Sequence, residues 1–330
     1  MKLGVFNPMF GGMPLEEMLD RLAALGLEAV EMRTGPNSVD EVKAGRYPGQ
    51  NQCDPAVLLA DAGQRRRFQA AFAQRGLIVS GLSCHGNPVH PDAQIAALFH
   101  RVFEDNVRLA AELGVGVVIV FSGCPGGAPG DQQPNWVTCT WPPEFKTILQ
   151  WQWEEVVIPY WQKAGQFAQE HGVKIAIEMH PGFVVYNTAT LLRLRQAVGP
   201  VIGANFDPSH LFWQQADPVA AIHALQGAIY HFHAKDTAIN VYNTAVNGVL
   251  DTGSYRHPGE RAWIFRTVGY GHDLLTWKNI VSALRLAGYD YVMSIEHEDA
   301  LASRDEGLRK AVAFLKECLL SEPPVHAWWD

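Results

Sequence analysis

The sequence predicts an α/β protein built as a single-domain (β/α)8 or TIM barrel with long βα loops. Apolar runs too short for helices alternate with amphipathic helical segments through the 330 residues, which makes eight strand-helix pairs. Such alternation is typical of a parallel sheet covered by helices, and eight units favour a closed barrel over an open doubly wound sheet. No G-x-G-x-x-G motif opens a helix after the first strand, so a dinucleotide-binding fold is the weaker interpretation.

The first half of the chain contains four of these units. A short apolar strand at 3–6 precedes a helix at 14–25, whose apolar residues recur on one face before Gly26 ends it. The elements expected next are strands at 29–32, 78–84 and 115–121, and helices that begin at Asp54-Pro55 and at 91. We expect long loops at about 34–53 and 122–147, and loops of this length in a compact domain are usually lids or contacts.

The second half continues the alternation. Helices are expected near 188–198, 217–226, 273–287 and 305–320, and the strands between them end at Glu178, Asp207 and Glu296 or carry His233. The connection at 236–272 is much longer than a typical βα loop, so we expect it to shape the pocket. We expect the tail at 321–330, which is rich in proline and tryptophan, to dock on the protein or to join subunits, which predicts a homo-oligomer.

Composition and charge disfavour several classes of function. The chain is 48% hydrophobic and 18% charged, enough for a large core, and its formal net charge of -8 argues against binding to nucleic-acid phosphates. Five scattered cysteines lack the paired spacing of a zinc ribbon or disulfide framework. With no leader and no apolar run of membrane-span length, the sequence predicts a cytoplasmic protein that acts on a small molecule, without nucleic acid or membrane as partner.

Four strand ends carry groups that bind metals or transfer protons. Glu178, Asp207 and Glu296 end or follow apolar runs, and His233 lies near the end of another. A barrel places its reactive groups at the carboxyl ends of its strands, so these side chains should converge. Three carboxylates and one imidazole suit one divalent cation, with Mn²⁺ as the first choice and Mg²⁺, Co²⁺ or Zn²⁺ as alternatives.

Each of these residues also has a structural interpretation. Asp207 precedes Pro208 and is well placed to begin a turn or to cap a helix, and His233 alone is compatible with a hydrogen-bonded core histidine. Glu178 and Glu296 are harder to explain in this way, because an unpaired carboxylate after Ile-Ala-Ile or Met-Ser-Ile is costly to bury. All four structural explanations would have to hold at once, so a shared site is the simpler hypothesis.

The ordered set Glu178, Asp207-x-x-His210, His233-x-Lys235-Asp236 and Glu296 resembles the xylose-isomerase-like barrel superfamily, in particular its sugar phosphate isomerase/epimerase group. The resemblance covers nearly the whole chain. It implies that Glu178, Asp207, His233 and Glu296 are the metal ligands, and that Glu178 and Glu296 exchange a proton from opposite faces of the substrate. It also matches His210 to a substrate-contacting histidine and His85 to a pocket position. The expected substrate-binding residues are then His85, His180, His210, Lys235 and Asp236.

The resemblance implies a divalent-metal-dependent isomerase or epimerase acting on a ketose, keto-sugar or inosose through a metal-stabilised enediolate. The same enediolate could expel a neighbouring group, which would make the protein a lyase or dehydratase on a keto-sugar or keto-glycoside. The superfamily also contains endonuclease IV, but here the fourth strand ends Val120-Phe121-Ser122-Gly123 without a histidine, and the chain is acidic. A non-catalytic sugar-binding barrel is the alternative from another class, and the two glutamates favour catalysis over it.

Overall fold

Short apolar runs form the strands of a closed parallel barrel. The computed structural model of the protein describes residues 1–36, 38–43, 52–325, 327 and 329. Within these residues the strands are β1 (Lys2–Phe6), β2 (Ala29–Arg33), β3 (Ile78–Ser83), β4 (Val117–Phe121), β5 (Lys174–Glu178), β6 (Ile202–Phe206), β7 (Ile229–Ala234), β8 (Asp236–Ile239), β9 (Trp263–Arg266) and β10 (Val292–Ile295). Neighbours in the barrel follow sequence order from β1 to β7, and β10 closes it between β7 and β1. This order confirms the (β/α)8 prediction.

Amphipathic helices follow the strands and pack on the barrel. Within the described residues they are α1 (Leu15–Ala24), α2 (Val39–Lys43), α3 (Pro55–Ala60), α4 (Ala62–Ala73), α5 (Ala93–Leu113), α6 (Pro143–Trp151), α7 (Ile158–Glu170), α8 (Thr188–Val198), α9 (Pro208–Phe212), α10 (Pro218–Ala224), α11 (Val241–Asn247), α12 (Leu274–Leu286) and α13 (Arg304–Cys318). In α1, Met18, Leu19 and Leu22 are buried in the main core, as the predicted apolar face requires. Asp54 caps α3 through its side chain, also as predicted.

The predicted loop at 122–147 is shorter in the structure, because α6 begins at Pro143. Proline is tolerated in the first turn of a helix, where its nitrogen needs no partner, so this proline starts the helix. A π-helical segment at Gln152–Val157 joins α6 to α7. The buried Gln152 side chain donates to the carbonyl oxygens of Gly126 at 2.9 Å and Asn135 at 2.6 Å, which holds the preceding loop in place.

The segment at 236–272, predicted as a long loop, has a folded core. Its two strands, β8 and β9, form an antiparallel pair that runs from Asp236 opposite Arg266 to Ile239 opposite Trp263. Helix α11 lies between these strands in the sequence. The segment that follows β7 is therefore in part regular secondary structure and not an irregular loop throughout.

Parts of two other predictions fall outside the described residues. The predicted loop at 34–53 contains α2, but residues 37 and 44–51 are not described, and neither are 326, 328 and 330 in the predicted tail at 321–330. The homo-oligomer inferred from that tail stays a prediction. Of the helices in the described ranges, none is both long enough and apolar enough to span a membrane.

Candidate active site

The candidate site lies at one end of the barrel, because parallel strands place their carboxyl ends together. Glu178 is the last residue of β5, Asp207 follows β6, and Glu296 follows β10. His233 lies in β7 opposite Ser294 of β10. The strand geometry thus delivers four reactive side chains from four different elements to the same end of the barrel.

The four predicted metal ligands converge. One ligand atom from each of Glu178, Asp207, His233 and Glu296 lies within 4.8 Å of the others. His233 Nδ1 is 3.6 Å from Glu178 Oε2 and 3.2 Å from Glu296 Oε2. Asp207 combines the two interpretations of the sequence: its Oδ1 accepts the Ser209 N–H at 2.8 Å and caps α9, which leaves Oδ2 for the cluster.

Three buried polar atoms around this cluster make no aligned hydrogen bond among the described residues, namely His85 Nε2, His210 Nε2 and Asp207 Oδ2, although the last forms an ion pair with Lys235. The two imidazole nitrogens lie near Glu178, at 3.0 Å for His85 and 3.3 Å for His210, without hydrogen-bond alignment. Buried polar atoms are rarely left unpaired, so the arrangement fits an additional bound group. Because the donor set consists of carboxylate oxygens and one imidazole, the residues present fit a divalent cation such as Mn²⁺ or Mg²⁺.

Lys235 places a positive charge among these carboxylates. Its Nζ is 2.7 Å from Glu296 Oε2, 3.1 Å from Asp207 Oδ2 and 3.1 Å from Glu298 Oε2. Burial alone would lower the pKa of this lysine, but the charges of Asp207, Glu296 and Glu298 outweigh it and hold the pKa well above its ordinary value. Lys235 is therefore an ammonium group that can donate hydrogen bonds to a substrate oxygen.

The charges within the cluster also shift the pKa values of its other members. Burial would raise the pKa of the Glu178 carboxyl, but His233 and two further imidazoles hold it well below its ordinary value. Burial would likewise raise the pKa of Glu296, but Lys235 and His233 lower it. For His233, burial would lower the pKa, but Glu31 and the two cluster glutamates raise it well above its ordinary value. Both glutamates are therefore ionised at neutral pH.

Glu31, in the middle of β2, supports His233 and was missed by the sequence analysis. Its carboxylate is completely buried and accepts hydrogen bonds from His233 Nε2, at 3.0 Å to Oε1 and 2.8 Å to Oε2. Ser83 and Ser294 donate to the same carboxylate, the latter at 2.8 Å. These contacts direct His233 Nδ1 toward the cluster, in the manner of the carboxylates that orient metal-binding histidines.

A signal for Glu31 was present in the sequence. Glu31 interrupts an apolar strand between Val30 and Met32, and the argument that a buried carboxylate needs a partner applies to it as it does to Glu178. His231 belongs to the same buried layer, with Nδ1 3.1 Å from Asn205 Oδ1. It precedes His233 by two residues, and residues two apart share one face of a strand.

The three histidines predicted to bind substrate lie together at the end of the barrel. His85 and His210 flank Glu178, and the rings of His180 and His210 are 4.1 Å apart between centroids. His180 Nδ1 is 2.6 Å from the Pro181 carbonyl oxygen, which fixes the orientation of its ring. Burial, with the His210 imidazole adding to the effect, lowers the pKa of His180 to about 3, so this side chain is neutral.

Asp236 differs from the other predicted substrate-binding residues, because the structure places its carboxylate away from the cluster. Its Oδ2 accepts hydrogen bonds from the backbone N–H groups of Gly269, Gly271 and His272 at 3.0 to 3.1 Å, and its Oδ1 is 2.7 Å from His272 Nδ1. Alternation along an extended chain explains the difference, since His233 and Lys235 share one side and Asp236 lies on the other. Asp236 therefore ties the beginning of the 236–272 segment to its end.

Comparison with known sequences agrees with this fold. The sequence profile of the family described as "Xylose isomerase-like TIM barrel" matches residues 19–318. The chain is 41% identical over 322 residues to "Uncharacterized protein YfiH" of Bacillus subtilis (strain 168), a match that covers 97% of this chain and 99% of that protein. It is 26% identical over 166 residues to "Inosose dehydratase" of Geobacillus thermodenitrificans (strain NG80-2), which covers 49% of this chain and 54% of that protein.

Solved structures give the same result for the fold. The 3-keto-D-glucoside 4-epimerase YcjR from E. coli, in its apo form, has a TM-score of 0.63 to this chain at 15% sequence identity. The match covers 96% of this chain and 100% of that one. At this level of identity the likeness shows a shared barrel and leaves the reaction to be inferred from the site.

Proposed function

Because the chain belongs to the xylose isomerase-like TIM barrel family, we propose that it is a divalent-metal-dependent carbohydrate isomerase or epimerase. The observation that carries the proposal is the convergence of Glu178, Asp207, His233 and Glu296, whose ligand atoms lie within 4.8 Å of one another. The expected substrate is a ketose, keto-sugar or inosose. Relatives in the family that process such molecules support this class of substrate, among them an inosose dehydratase and a keto-glucoside epimerase.

In this proposal the four residues would hold one divalent metal ion, with Mn²⁺ as the expected ion. When bound there, the ion would supply the polarisation of a substrate carbonyl that makes the neighbouring C–H bond more acidic. Glu178 and Glu296 are the acid-base pair: one carboxylate removes that proton, and the other returns a proton to the opposite face, which inverts the carbon. They project from β5 and β10, which are separated in the barrel by β6 and β7, so each reaches the substrate from its own side.

The remaining polar groups bind and orient the substrate in the same proposal. His85 and His210 have unpaired ring nitrogens beside Glu178, and Lys235 has an ammonium group between Asp207 and Glu296. Hydrogen bonds from these groups to substrate hydroxyl or carbonyl oxygens would hold the reacting C–H between the two carboxylates. His180 contributes a neutral ring to the wall of the site. Asp236 affects substrate binding only indirectly, because it ties together the two ends of the 236–272 segment.

A dehydratase is the second candidate, and the observation that favours it is the match to an inosose dehydratase. Its first step is the same removal of a proton beside the carbonyl by Glu178 or Glu296. In the dehydratase a hydroxide then leaves from the next carbon and takes up a proton to form water, so a double bond replaces the inverted centre. The two candidates therefore share their residues and differ in the fate of the intermediate.

Deuterium incorporation tests the proposal and separates the two candidates. Mn²⁺-loaded protein is incubated in D₂O with a panel of ketoses, keto-glycosides and inososes, and the products are followed by proton NMR. Deuterium in a recovered or epimerised sugar supports the isomerase or epimerase, and an unsaturated product with loss of water identifies the dehydratase. No exchange with any member of the panel, despite bound Mn²⁺, contradicts proton transfer at this site.

Two variants connect the exchange to named residues. Glu178→Gln and Glu296→Gln should each abolish deuterium exchange, because the amide cannot accept the proton. Glu317→Gln is the matched control, since Glu317 is an exposed glutamate on α13. Bound Mn²⁺ is measured for every variant, which separates loss of the proton acceptor from loss of a metal ligand. Exchange at the wild-type rate in both variants would remove these glutamates from the mechanism.

A further inference from the structure

A cavity of about 340 Å³ opens beside the candidate active site. His180 and His210 form part of its wall, and His210 Nε2 lies 3.3 Å from Glu178 Oε1, so the cavity adjoins the cluster. The rest of the wall comes mainly from the 236–272 segment and from Trp136 in the loop before α6. The four predicted metal ligands do not line it, so this space lies next to the reacting centre. Its volume is within the range of pockets that hold small molecules.

Aromatic rings form much of this wall. Trp213 and Trp263 stack with their centroids 4.7 Å apart, and Tyr255 stacks on Phe265 at 6.0 Å. The Phe265 ring also meets the His210 ring edge-on at 5.5 Å, which joins the aromatic wall to the active site. Tyr255 is 53% exposed, so part of its ring is open to a ligand. Flat apolar walls of this kind suit the C–H face of a sugar ring, because contact removes apolar surface from water.

Unpaired donors accompany these rings. Trp136 and Trp213 both line the cavity, and the buried indole nitrogen of each has no hydrogen-bond partner among the described residues. An unpaired buried donor costs free energy, which a ligand hydroxyl could recover by accepting a hydrogen bond. Such a wall therefore matches a ligand that is apolar on its ring face and carries hydroxyl groups at its edge.

The charge of the wall argues against a phosphate group. Arg261 is the one lysine or arginine among the cavity-lining residues in the described chain, and its guanidinium is already engaged. It donates to the carbonyl oxygens of Gly253 and Trp263, lies 3.9 Å from Asp251 and stacks 3.9 Å from the Tyr255 centroid. An uncharged ligand therefore fits this wall better than an anionic one.

We propose that the cavity is a subsite for a second, uncharged sugar ring, so that the substrate is a keto-disaccharide with its reacting ring at the Glu178–Glu296 cluster. This inference rests on the proposed function and names its substrate class. The second ring packs against Tyr255 and the neighbouring aromatic wall, and its hydroxyls accept hydrogen bonds from the indole N–H groups of Trp136 and Trp213. The 236–272 segment is then the element that selects for substrate length.

The test compares substrates of different length in the deuterium-exchange assay. A free keto-monosaccharide, its methyl glycoside and a keto-disaccharide with the same reacting ring are compared by kcat/KM. We expect the disaccharide to be preferred over the monosaccharide by about tenfold or more, with the methyl glycoside close to the monosaccharide. In Tyr255→Ala that preference should fall by about tenfold, and Trp213→Phe, which keeps an aromatic ring but removes the indole N–H together with part of the ring, should reduce it less. Tyr242→Ala is the matched control from the same segment, because Tyr242 is 85% exposed and outside the cavity, and it should keep the wild-type preference.

A binding measurement keeps this inference separate from the proposed reaction. Titration of the protein with cellobiose, maltose or glucose is followed by isothermal calorimetry, which needs no turnover. Disaccharide binding that Tyr255→Ala weakens, without deuterium exchange on any substrate, supports the subsite while the proposed function fails. Exchange with equal kcat/KM for monosaccharide and disaccharide, unaffected by Tyr255→Ala, overturns the subsite while the proposed function stands.

Discussion

Replacement of Glu31 tests whether this buried carboxylate positions His233 for a metal ion. Glu31 accepts hydrogen bonds from His233 Nε2 at 2.8 and 3.0 Å and from Ser294 Oγ at 2.8 Å. Glu31→Gln keeps the shape of the side chain and one acceptor oxygen but removes the charge. Glu31→Ala removes both acceptors and leaves the His233 N–H without its partner. The affinity for Mn²⁺ should therefore fall in two steps, moderately for glutamine and strongly for alanine.

The magnitude follows from the contacts that each variant loses. A hydrogen bond to a charged group contributes about 1.5–3 kcal/mol, whereas a neutral one contributes about 1 kcal/mol. Glutamine would exchange the first kind for the second, so the loss should be about 1 kcal/mol, or roughly fivefold to tenfold in Kd. Alanine loses the whole interaction, which corresponds to about 100-fold, the upper end of what residues that orient metal ligands contribute.

The assay is a titration of metal-free protein with Mn²⁺, in which free Mn²⁺ is followed by its electron paramagnetic resonance signal. Circular dichroism and thermal unfolding without metal show whether each variant keeps its fold. Glu28→Gln is the control, because Glu28 lies just before β2, is about half exposed and pairs with Lys2 at the surface at 3.2 Å. Mn²⁺ affinities within about twofold of wild type in both folded Glu31 variants would refute the positioning role.

Packing and exposure lead to two further predictions. A Cβ at Gly271 would lie 2.2 Å from the Thr237 carbonyl oxygen, so Gly271→Ala should lower the free energy of unfolding by about 1–3 kcal/mol in denaturant titrations. Gly259→Ala, where nothing lies within 4 Å, should leave it nearly unchanged, and equal effects of the two substitutions would contradict this packing. Cys139 is exposed and the other four cysteines are buried, so a thiol reagent should label one site in the native protein and five after denaturation; rapid native labelling of a second thiol would contradict the described burial.

The barrel could be predicted because its signals are local. Each barrel strand is a short apolar run, and Gly114 follows the end of α5 with a φ of 72°, which glycine adopts without strain. The predicted end of the loop at about 147 was wrong, because α6 begins at Pro143, and a proline typical of loops is also tolerated in the first turn of a helix. The 236–272 segment was recognised by its length, but its hairpin depends on the pairing of β8 with β9 across more than twenty residues, which no local pattern indicates.

Only those members of the candidate site that local sequence signals mark could be predicted. Glu178, Asp207, His233 and Glu296 could be found because the end of each strand can be located in the sequence, and a barrel brings such ends together. The partner of His233 could not be found in this way, since Glu31 is 202 residues away. Asp236 is next to Lys235 in the sequence, yet its carboxylate binds backbone N–H groups of the 236–272 segment and not the cluster.

The sequence by itself determined the fold class, the eight barrel strands and the four side chains at or near their ends, because periodicity and the cost of burying charge depend on near neighbours in the chain. Only the tertiary structure decided how these groups interact. Closure of the barrel brought Glu31 to His233 and Lys235 to Asp207, and the packing of the 236–272 segment made the aromatic cavity beside His210. Those contacts depend on distances between residues that are remote in sequence, which the chain acquires only when the strands pair and the helices pack.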